Sequence, residues 1–485
     1  MYPTGEKQTL EKQELIAAAT SLWLIVAVAL ACRVGYAYHE SRVIPAEALA
    51  SVPFEQETGN IAMALATDKG FSSPTRRDTG PTAWLTPVYP ALVAGIFRVF
   101  GVFTLHAFCA AAAANIVFSV ATCVPIYFAG KRIAGIGAAS LAAWLWALFP
   151  NAIVIPFQWI WDTSLTALLA ATILWATLAL AKSRRMRDWC AYGLIWGVAL
   201  LTNPSLGGVL PFLLGWAVYR GRSEVRGRFA RPAAALAVAI LCCVPWTVRN
   251  YAKFHRFIPL RSNFAFELWL GNNEVFDDHS PNINARITRY GEARRYGQLG
   301  ETAFMQEKWN LATEFIRTHK RLELRLTGWR FMEFWLGSSH PAKDFGNADS
   351  MWIRIIFALN FLTAIGSAIG VVILWRARSP YAFPAAVFVV VVPLVYYITH
   401  ASLRYRHPID PIVLILTATA MIGARRNKVA IALPAEGELN QSTTHFVRRA
   451  RLRFARQNHC SSTTFIRLNF RMRRRLGATR EAEPE

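Results

Sequence analysis

Residues 54–101 read FEQETGNIAMALATDKGFSSPTRRDTGPTAWLTPVYPALVAGIFRVFG. The stretch opens on two carboxylates, Glu55 and Glu57, at the head of a short helical pattern. It continues through a Gly-Phe-Ser-Ser-Pro turn and the run Thr79-Gly80-Pro81-Thr82-Ala83-Trp84. It closes on an apolar segment, Pro90–Phe100, that is too short and too interrupted by proline to cross a bilayer comfortably. An apolar segment precedes the stretch and more follow it. The loop of residues 38–101 is therefore expected to hold acidic side chains against a membrane surface.

The rest of the chain agrees with a membrane setting. Its 485 residues are 54% hydrophobic and 17% charged, with 17 Trp. Long apolar runs account for that bias, which predicts an all-α integral membrane protein, a polytopic helix bundle of about ten spans. The first span is read at Leu15–Val34. Later ones fall at Leu105–Ala129, Ile133–Ile155, Ser164–Leu180, Trp189–Leu201, Gly207–Val218, Ala233–Val248, Met351–Leu374, Phe383–Tyr397 and Pro411–Ile422. The net charge of +23 does not point to nucleic acid, because much of it sits in short loops beside spans, where positive charge sets topology. The seven cysteines form no disulfide framework. Six of them lie in apolar runs and read as small packing hydrophobes.

With the N-terminus in the cytoplasm, the basic loops at Lys131-Arg132, Arg184–Arg187, Arg220–Arg231, Arg376–Arg378 and Arg425-Arg426 all face the cytoplasm. The short loops on the other side, Pro156–Asp162 and Thr202–Ser205, carry no Lys or Arg. This requires Pro90–Phe100 to be a juxtamembrane helix. Glu55, Glu57, Asp162, Asn203, Arg249 and the run Arg404-Tyr405-Arg406-His407 then gather on the extracytoplasmic face. A large insert, residues 250–350, shares that face, and its Gln298–Leu336 part has the periodicity of a helix pair lying on the membrane. Residues 428–485 form a polar, Arg-rich tail expected to be disordered against anionic cytoplasmic lipid. The domain reading is thus a membrane domain over 1–427 followed by the tail 428–485, with both termini cytoplasmic and the chain in the cell membrane.

The acidic loop, with Gly59-Asn60-Ile61-Ala62, Gly70-Phe71-Ser72-Ser73-Pro74 and Pro81-Thr82-Ala83-Trp84-Leu85-Thr86-Pro87-Val88-Tyr89-Pro90, resembles the GT-C membrane glycosyltransferases. Within them it is most similar to the glycosyltransferase family 39 group, which includes protein O-mannosyltransferases and the aminoarabinose transferase of lipid A. Pro245-Trp246-Thr247-Val248-Arg249-Asn250 and Arg404-Tyr405-Arg406-His407-Pro408 agree. The resemblance implies transfer of a sugar from a polyprenyl-phosphate donor to an extracytoplasmic acceptor (protein, lipid or glycan), with inversion. Many members carry Asp-Glu at the loop-helix start, where this chain has Phe54-Glu55 with Glu57 two residues on.

Displacing a phosphate from an anomeric carbon needs one base to deprotonate the acceptor hydroxyl, and cations to hold the phosphate. Glu57 and Glu55 are the candidate bases. Two residues apart on a helix they point about 200° from each other, so one alone can face the site. The bland reading is that they are helix-start acids complementing the dipole. Asp162 is read as an acceptor-orienting or metal-orienting carboxylate or as an N-cap. Arg249, Arg404, Arg406 and His407 are candidate ligands for the donor phosphate, weighed against snorkelling to lipid headgroups and against pairing with Asp410. Trp84, Tyr89 and Trp161 are candidate sugar or lipid contacts, with an interfacial aromatic belt as the alternative. No cofactor is required by any motif, and a divalent metal has Asp162 as its candidate ligand. The expected partners are the lipid-linked donor, the acceptor and the bilayer, with no nucleic acid. A transporter or flippase of a lipid-linked sugar is the rival reading. It is disfavoured by the scarcity of charge at span centres and by the lack of a half-chain repeat.

Overall fold

The structure, a computed structural model, describes residues 21–75, 77–180, 183–221, 229–273, 291–338 and 351–432, with side chains to Gly423. The tail expected over 428–485 lies almost wholly outside the described residues, as does the start of the first span before Ser21. By its internal contacts the chain divides into a unit Met1–Gly423 and a unit Ala424–Glu485.

Among the described residues the secondary structure is helical apart from an isolated bridge between Ser72 and Pro81. The first helix, α1, runs Leu22–Val43, past the expected end of the first span. Ser21 caps it by accepting from the Leu24 amide. The polar loop beyond it holds three short helices: α2 (Ala46–Ser51), α3 (Glu57–Ala66) and α4 (Val88–Phe100). At 13 residues, α4 is short of a bilayer crossing.

The bundle then builds from α5 (Leu105–Ala121), α6 (Cys123–Ala134), α7 (Ile136–Leu148), α8 (Pro150–Gln158) and α9 (Thr163–Leu180). It continues with α10 (Met186–Thr202), α11 (Leu210–Arg220) and α12 (Ala230–Phe254). Helices α5 and α6 together form one apolar stretch of 30 residues, and α7 and α8 are an apolar pair bent by 45°. The bend falls at Phe149-Pro150, where proline supplies no amide to continue the ladder. Among the described residues five helices are long and apolar enough to cross a membrane, or six if the bent pair counts as one span. The reading at Gly207–Val218 changes character. Pro204–Val209 is a 3₁₀ turn and α11 has 11 residues, too few to cross alone.

The insert contributes α13 (Phe264–Gly271), α14 (Glu292–Leu299), α15 (Glu301–Thr318) and α16 (Lys320–Leu336). The expected helix pair is therefore present as α15 and α16. The chain returns to the bundle with α17 (Met351–Arg376) and α18 (Ala382–Ile398), then the short α19 (Leu403–Arg406) and α20 (Asp410–Ala432).

The largest apolar core joins α1, α5–α12, α16–α18 and α20 around Trp146, Trp196 and Phe388. A second lies under the polar loop, where Phe54, Tyr89, Phe97 and Phe108 pack together. A third consists of Trp84 from the polar loop with Phe266, Leu270, Tyr296, Phe304 and Met305 from the insert. The insert is thus not a separate module: a tryptophan of the first loop is built into its core.

Candidate functional site

The polar loop is fixed from two sides. Arg249, on α12, donates from one guanidinium nitrogen to the Thr82 carbonyl at 2.6 Å and from the other to the Phe71 carbonyl at 2.6 Å. Its charged plane lies over Trp246, 4.9 Å from the ring centre. From the insert, the buried carboxylate of Glu301 accepts from the Thr82 hydroxyl, the Ala83 amide (2.7 Å), the Ser262 hydroxyl (2.7 Å) and the Tyr296 hydroxyl (2.7 Å). A carboxylate holding four donors is well compensated for its burial. Thr86 adds a bond to the Thr202 carbonyl at the end of α10.

These contacts correct three sequence expectations. Arg249 braces the loop, with both terminal guanidinium nitrogens donating to loop carbonyls. Trp84 is 3% exposed and packs against Phe266, with ring centres 4.9 Å apart. Tyr89 is 2% exposed and donates its hydroxyl proton to Asn115 at 2.9 Å. Both aromatics fill cores under and over the loop, where no sugar or lipid tail reaches them. Their sequence neighbourhood is interfacial, but burial of a large ring outweighs that preference.

The two glutamates part company. Glu55 is exposed, whereas Glu57 begins α3 and faces inward. The start of α3 is seated tightly on the preceding turn: a Cβ at Gly59 would overlap the Phe54 carbonyl oxygen. Only glycine permits that approach, and it fixes where Glu57 points. Desolvation raises the Glu57 carboxyl above its usual range, while its own backbone amide and the Arg404 charge pull it back.

Around Glu57 a polar group assembles from distant parts of the chain. Asp162, just before α9, accepts from Asn203 at 2.9 Å and from Thr166 at 3.1 Å. Its carbonyl also accepts from the Thr166 amide, so its backbone starts the helix while its side chain turns to the site. Burial raises its carboxyl, opposed by Arg261, the two hydrogen bonds and Arg404. Arg404 lies over Trp161 at 4.2 Å and Trp159 at 5.2 Å, and donates to the Tyr405 hydroxyl at 2.9 Å. The indole nitrogen of Trp161 is buried and has no hydrogen-bond partner among the described residues.

The sequence reading missed Glu267 and Arg261. Glu267, on α13, is pushed up to about 7 by burial; Arg261 opposes that shift, Glu57 adds to it, and Arg404 and Asn263 oppose it. Asn263 donates to one carboxylate oxygen at 2.7 Å, and His400 Nδ1 stands 3.4 Å from the other. The end of α13 is seated on the chain before His400: a Cβ at Gly271 would overlap the Thr399 carbonyl oxygen. Arg330 staples the junction, donating to Gly271, Asn272 and Tyr397 at 2.7, 2.9 and 3.0 Å. Neither Glu267 nor Arg261 sits in a motif. Both lie in an insert of mixed charge, so no local signal distinguished them.

Arg406 and His407 are the remaining correction. Both are 0% exposed. Arg406 pairs with Asp410 at 2.8 Å and donates to the Trp335 carbonyl, the Asn360 carbonyl and the Thr363 hydroxyl at 2.6, 3.1 and 2.6 Å. His407 stacks on Trp146 and lies 3.6 Å from Asp410. They bind α16, α17 and α20 together within the bundle and offer nothing to a phosphate outside it. The pairing with Asp410 weighed in the sequence is the one the fold adopts.

Glu57, Asp162, Glu267, Arg261, Arg404 and Trp161 thus form one polar cluster where the first loop, the insert and the bundle meet. Among the described residues no three His, Cys, Asp or Glu side chains converge as a metal cage.

The family model described as dolichyl-phosphate-mannose-protein mannosyltransferase matches residues 83–248, a span that includes Asp162, Trp161 and Asn203. Curated proteins give no match. Among solved structures, the oligosaccharyltransferase of Archaeoglobus fulgidus, in complex with zinc and sulfate, is similar in fold. Its TM-score is 0.50 at 14% identity, over 86% of this chain and 51% of that one. ArnT of Cupriavidus metallidurans bound to undecaprenyl phosphate aligns over 86% of this chain and 80% of its own, with 14% identity and a TM-score of 0.35. The present chain spans about half the length of the archaeal protein. Over residues 83–248 the chain is thus similar to that mannosyltransferase family, and its helical fold is similar to that of the archaeal protein.

Proposed function

We propose that this protein is a membrane glycosyltransferase that moves a sugar from a polyprenyl-phosphate donor to an extracytoplasmic acceptor with inversion. The observation that carries the reading is Arg404 resting on the Trp161 and Trp159 rings in a polar group with the carboxylates of Asp162 and Glu57, both of which feel its charge. A base and an anion receptor in one site are what displacement of a sugar from phosphate requires. The family description, a mannosyltransferase using dolichyl-phosphate mannose, names the same class of donor.

In this reading Glu57 takes the acceptor hydroxyl proton as the acceptor oxygen attacks the anomeric carbon. The bond from that carbon to the phosphate oxygen breaks, and the phosphate leaves with the electron pair. Direct attack inverts the centre, by analogy with inverting glycosidases. Arg404 and Arg261 hold the phosphate, taking the place expected for Arg249, Arg406 and His407. Asp162 orients the acceptor and would supply one carboxylate to a divalent cation. The unpartnered Trp161 indole N–H is a donor for a sugar or phosphate oxygen, since a buried N–H without a partner costs about 1–3 kcal/mol. The first loop (38–101) and the insert (250–350) would be the extracytoplasmic part of a membrane domain over 1–427.

The test is donor consumption by purified protein in detergent, using polyprenyl-phosphate mannose, with and without EDTA. Glu57→Gln should lower turnover by about 10² or more while leaving the folded yield unchanged. An undiminished rate in that variant would remove Glu57 as the base. No consumption by the wild type, together with movement of the lipid-linked sugar across vesicles, would favour the flippase.

A further inference from the structure

Helix α5 carries one amide side chain inside an apolar run: Asn115 follows the five alanines Ala110–Ala114 and precedes Ile116-Val117-Phe118. It is 0% exposed. Burying an amide is unfavourable unless it is hydrogen-bonded, and Asn115 is bonded at both ends. Its Nδ2 donates to the Trp159 carbonyl at 3.1 Å, and its Oδ1 accepts from the Tyr89 hydroxyl at 2.9 Å. A carbonyl can only accept, so the amide cannot be turned over. Nδ2 has to face Trp159, and Tyr89 has to be the donor on the other side.

The Trp159 carbonyl lies in the turn between α8 and α9. It also accepts from the Trp161 amide at 2.9 Å, so one oxygen fixes both the end of α8 and the course of the chain to Trp161. Between the two tryptophans Ile160 is 1% exposed and belongs to the core that holds Phe108 and Phe157. Arg404 rests on both rings, 4.2 Å from the centre of Trp161 and 5.2 Å from that of Trp159. The next residue, Asp162, is the carboxylate held by Asn203.

We propose that Asn115 is a positioning residue of the transfer site: it holds the Trp159–Trp161 turn in the shape that beds Arg404 for the donor phosphate, and through Tyr89 it ties that bed to α4 of the first loop. The inference rests on the glycosyl-transfer reading of the site. A guanidinium is attracted to a ring face only within about 6 Å of its centre, so a turn that moves the rings moves or frees the cation. An amide that merely joined α4, α5 and α8 would affect folding and leave phosphate binding alone. An amide that beds Arg404 affects phosphate binding in the protein that does fold, and only while Arg404 is present.

The experiment titrates undecaprenyl phosphate into purified protein in detergent and records the melting temperature and the consumption of polyprenyl-phosphate mannose alongside. Asn115→Leu is close to isosteric and removes both bonds; Asn115→Ala is the second variant should the first not fold. Either should raise the Kd of undecaprenyl phosphate about tenfold, the equivalent of one hydrogen bond. Tyr89→Phe removes a buried bond to the same amide without touching the Trp159 carbonyl, and should raise the Kd by less. In an Arg404→Gln background Asn115→Leu should change the Kd by less than about twofold, because two residues acting through one contact are not additive. Asn115 variants that melt early yet bind undecaprenyl phosphate as the wild type does would overturn the proposal. So would a loss in Tyr89→Phe as large as in Asn115→Leu, or the full loss persisting without Arg404. A wild type that neither binds undecaprenyl phosphate nor consumes the donor would instead strike the transfer reading itself.

Discussion

Arg404 and Arg406 stand two residues apart and do opposite things. Arg404 is partly accessible, lies across Trp161 and looks into the polar cluster. Arg406 is sealed inside the bundle, paired with Asp410 and bonded to α16 and α17. Glu57 and Glu55 repeat the contrast on the first loop, one turned inward and the other exposed. At both places a cluster of charge in the sequence divides into a side chain that faces the site and one that does not. What separates them is which side of a short helix packs against the bundle. A buried cation engaged by protein carbonyls, a hydroxyl and a carboxylate is a structural lock, and a cation resting on aromatic faces keeps donors for a ligand.

The sharpest way to break this comparison is to remove the lock. Arg406→Ala leaves Asp410 buried without its partner and should destabilise the protein by about 3–5 kcal/mol. Thermal unfolding in detergent checks this, and a stable variant that has lost donor affinity would mean Arg406 reaches the phosphate after all. Arg404→Gln should behave in the reverse way. Its melting temperature should stay near that of the wild type while turnover falls by about 10², the size expected for losing one donor to developing charge. If instead Arg404→Gln melts early and the surviving protein is fully active, the two arginines have been assigned the wrong way round. The smallest effect belongs to Glu55→Gln. An exposed substitution of this kind lies within about 0.5 kcal/mol, so turnover should remain within roughly twofold of wild type. A large loss there would transfer the role of base from Glu57 to Glu55.

The loop shows how far the sequence carries. Its acidic head, its Gly-Phe-Ser-Ser-Pro turn and the non-spanning helix after it are all legible in residues 54–101, because each depends on neighbours within one or two turns. Asp162, Trp161 and Arg404 stand out in the sequence too, as polar or aromatic residues at span ends. The roles expected of Arg249, Trp84 and Tyr89 were not. Nothing near Arg249 in the chain reveals that the carbonyls of Phe71 and Thr82, more than 160 residues away, take its donors. Nothing near Trp84 reveals that Phe266 and Phe304 close over it. Glu267 carries no motif at all; it matters because Gly271 lets α13 settle on the Thr399 carbonyl and so brings it to His400.

By itself, then, the sequence determined that this chain is a helical membrane protein with a polar loop after its first apolar helix, and which residues carry charge there. Those properties follow from hydropathy, helix length and local turn chemistry, which act along the chain. The tertiary structure alone decided which of those charges are spent on holding helices together and which still face a ligand. That division depends on burial and on donors and acceptors brought from far apart in sequence, and in a low-dielectric interior a single carbonyl or carboxylate within about 3 Å settles it.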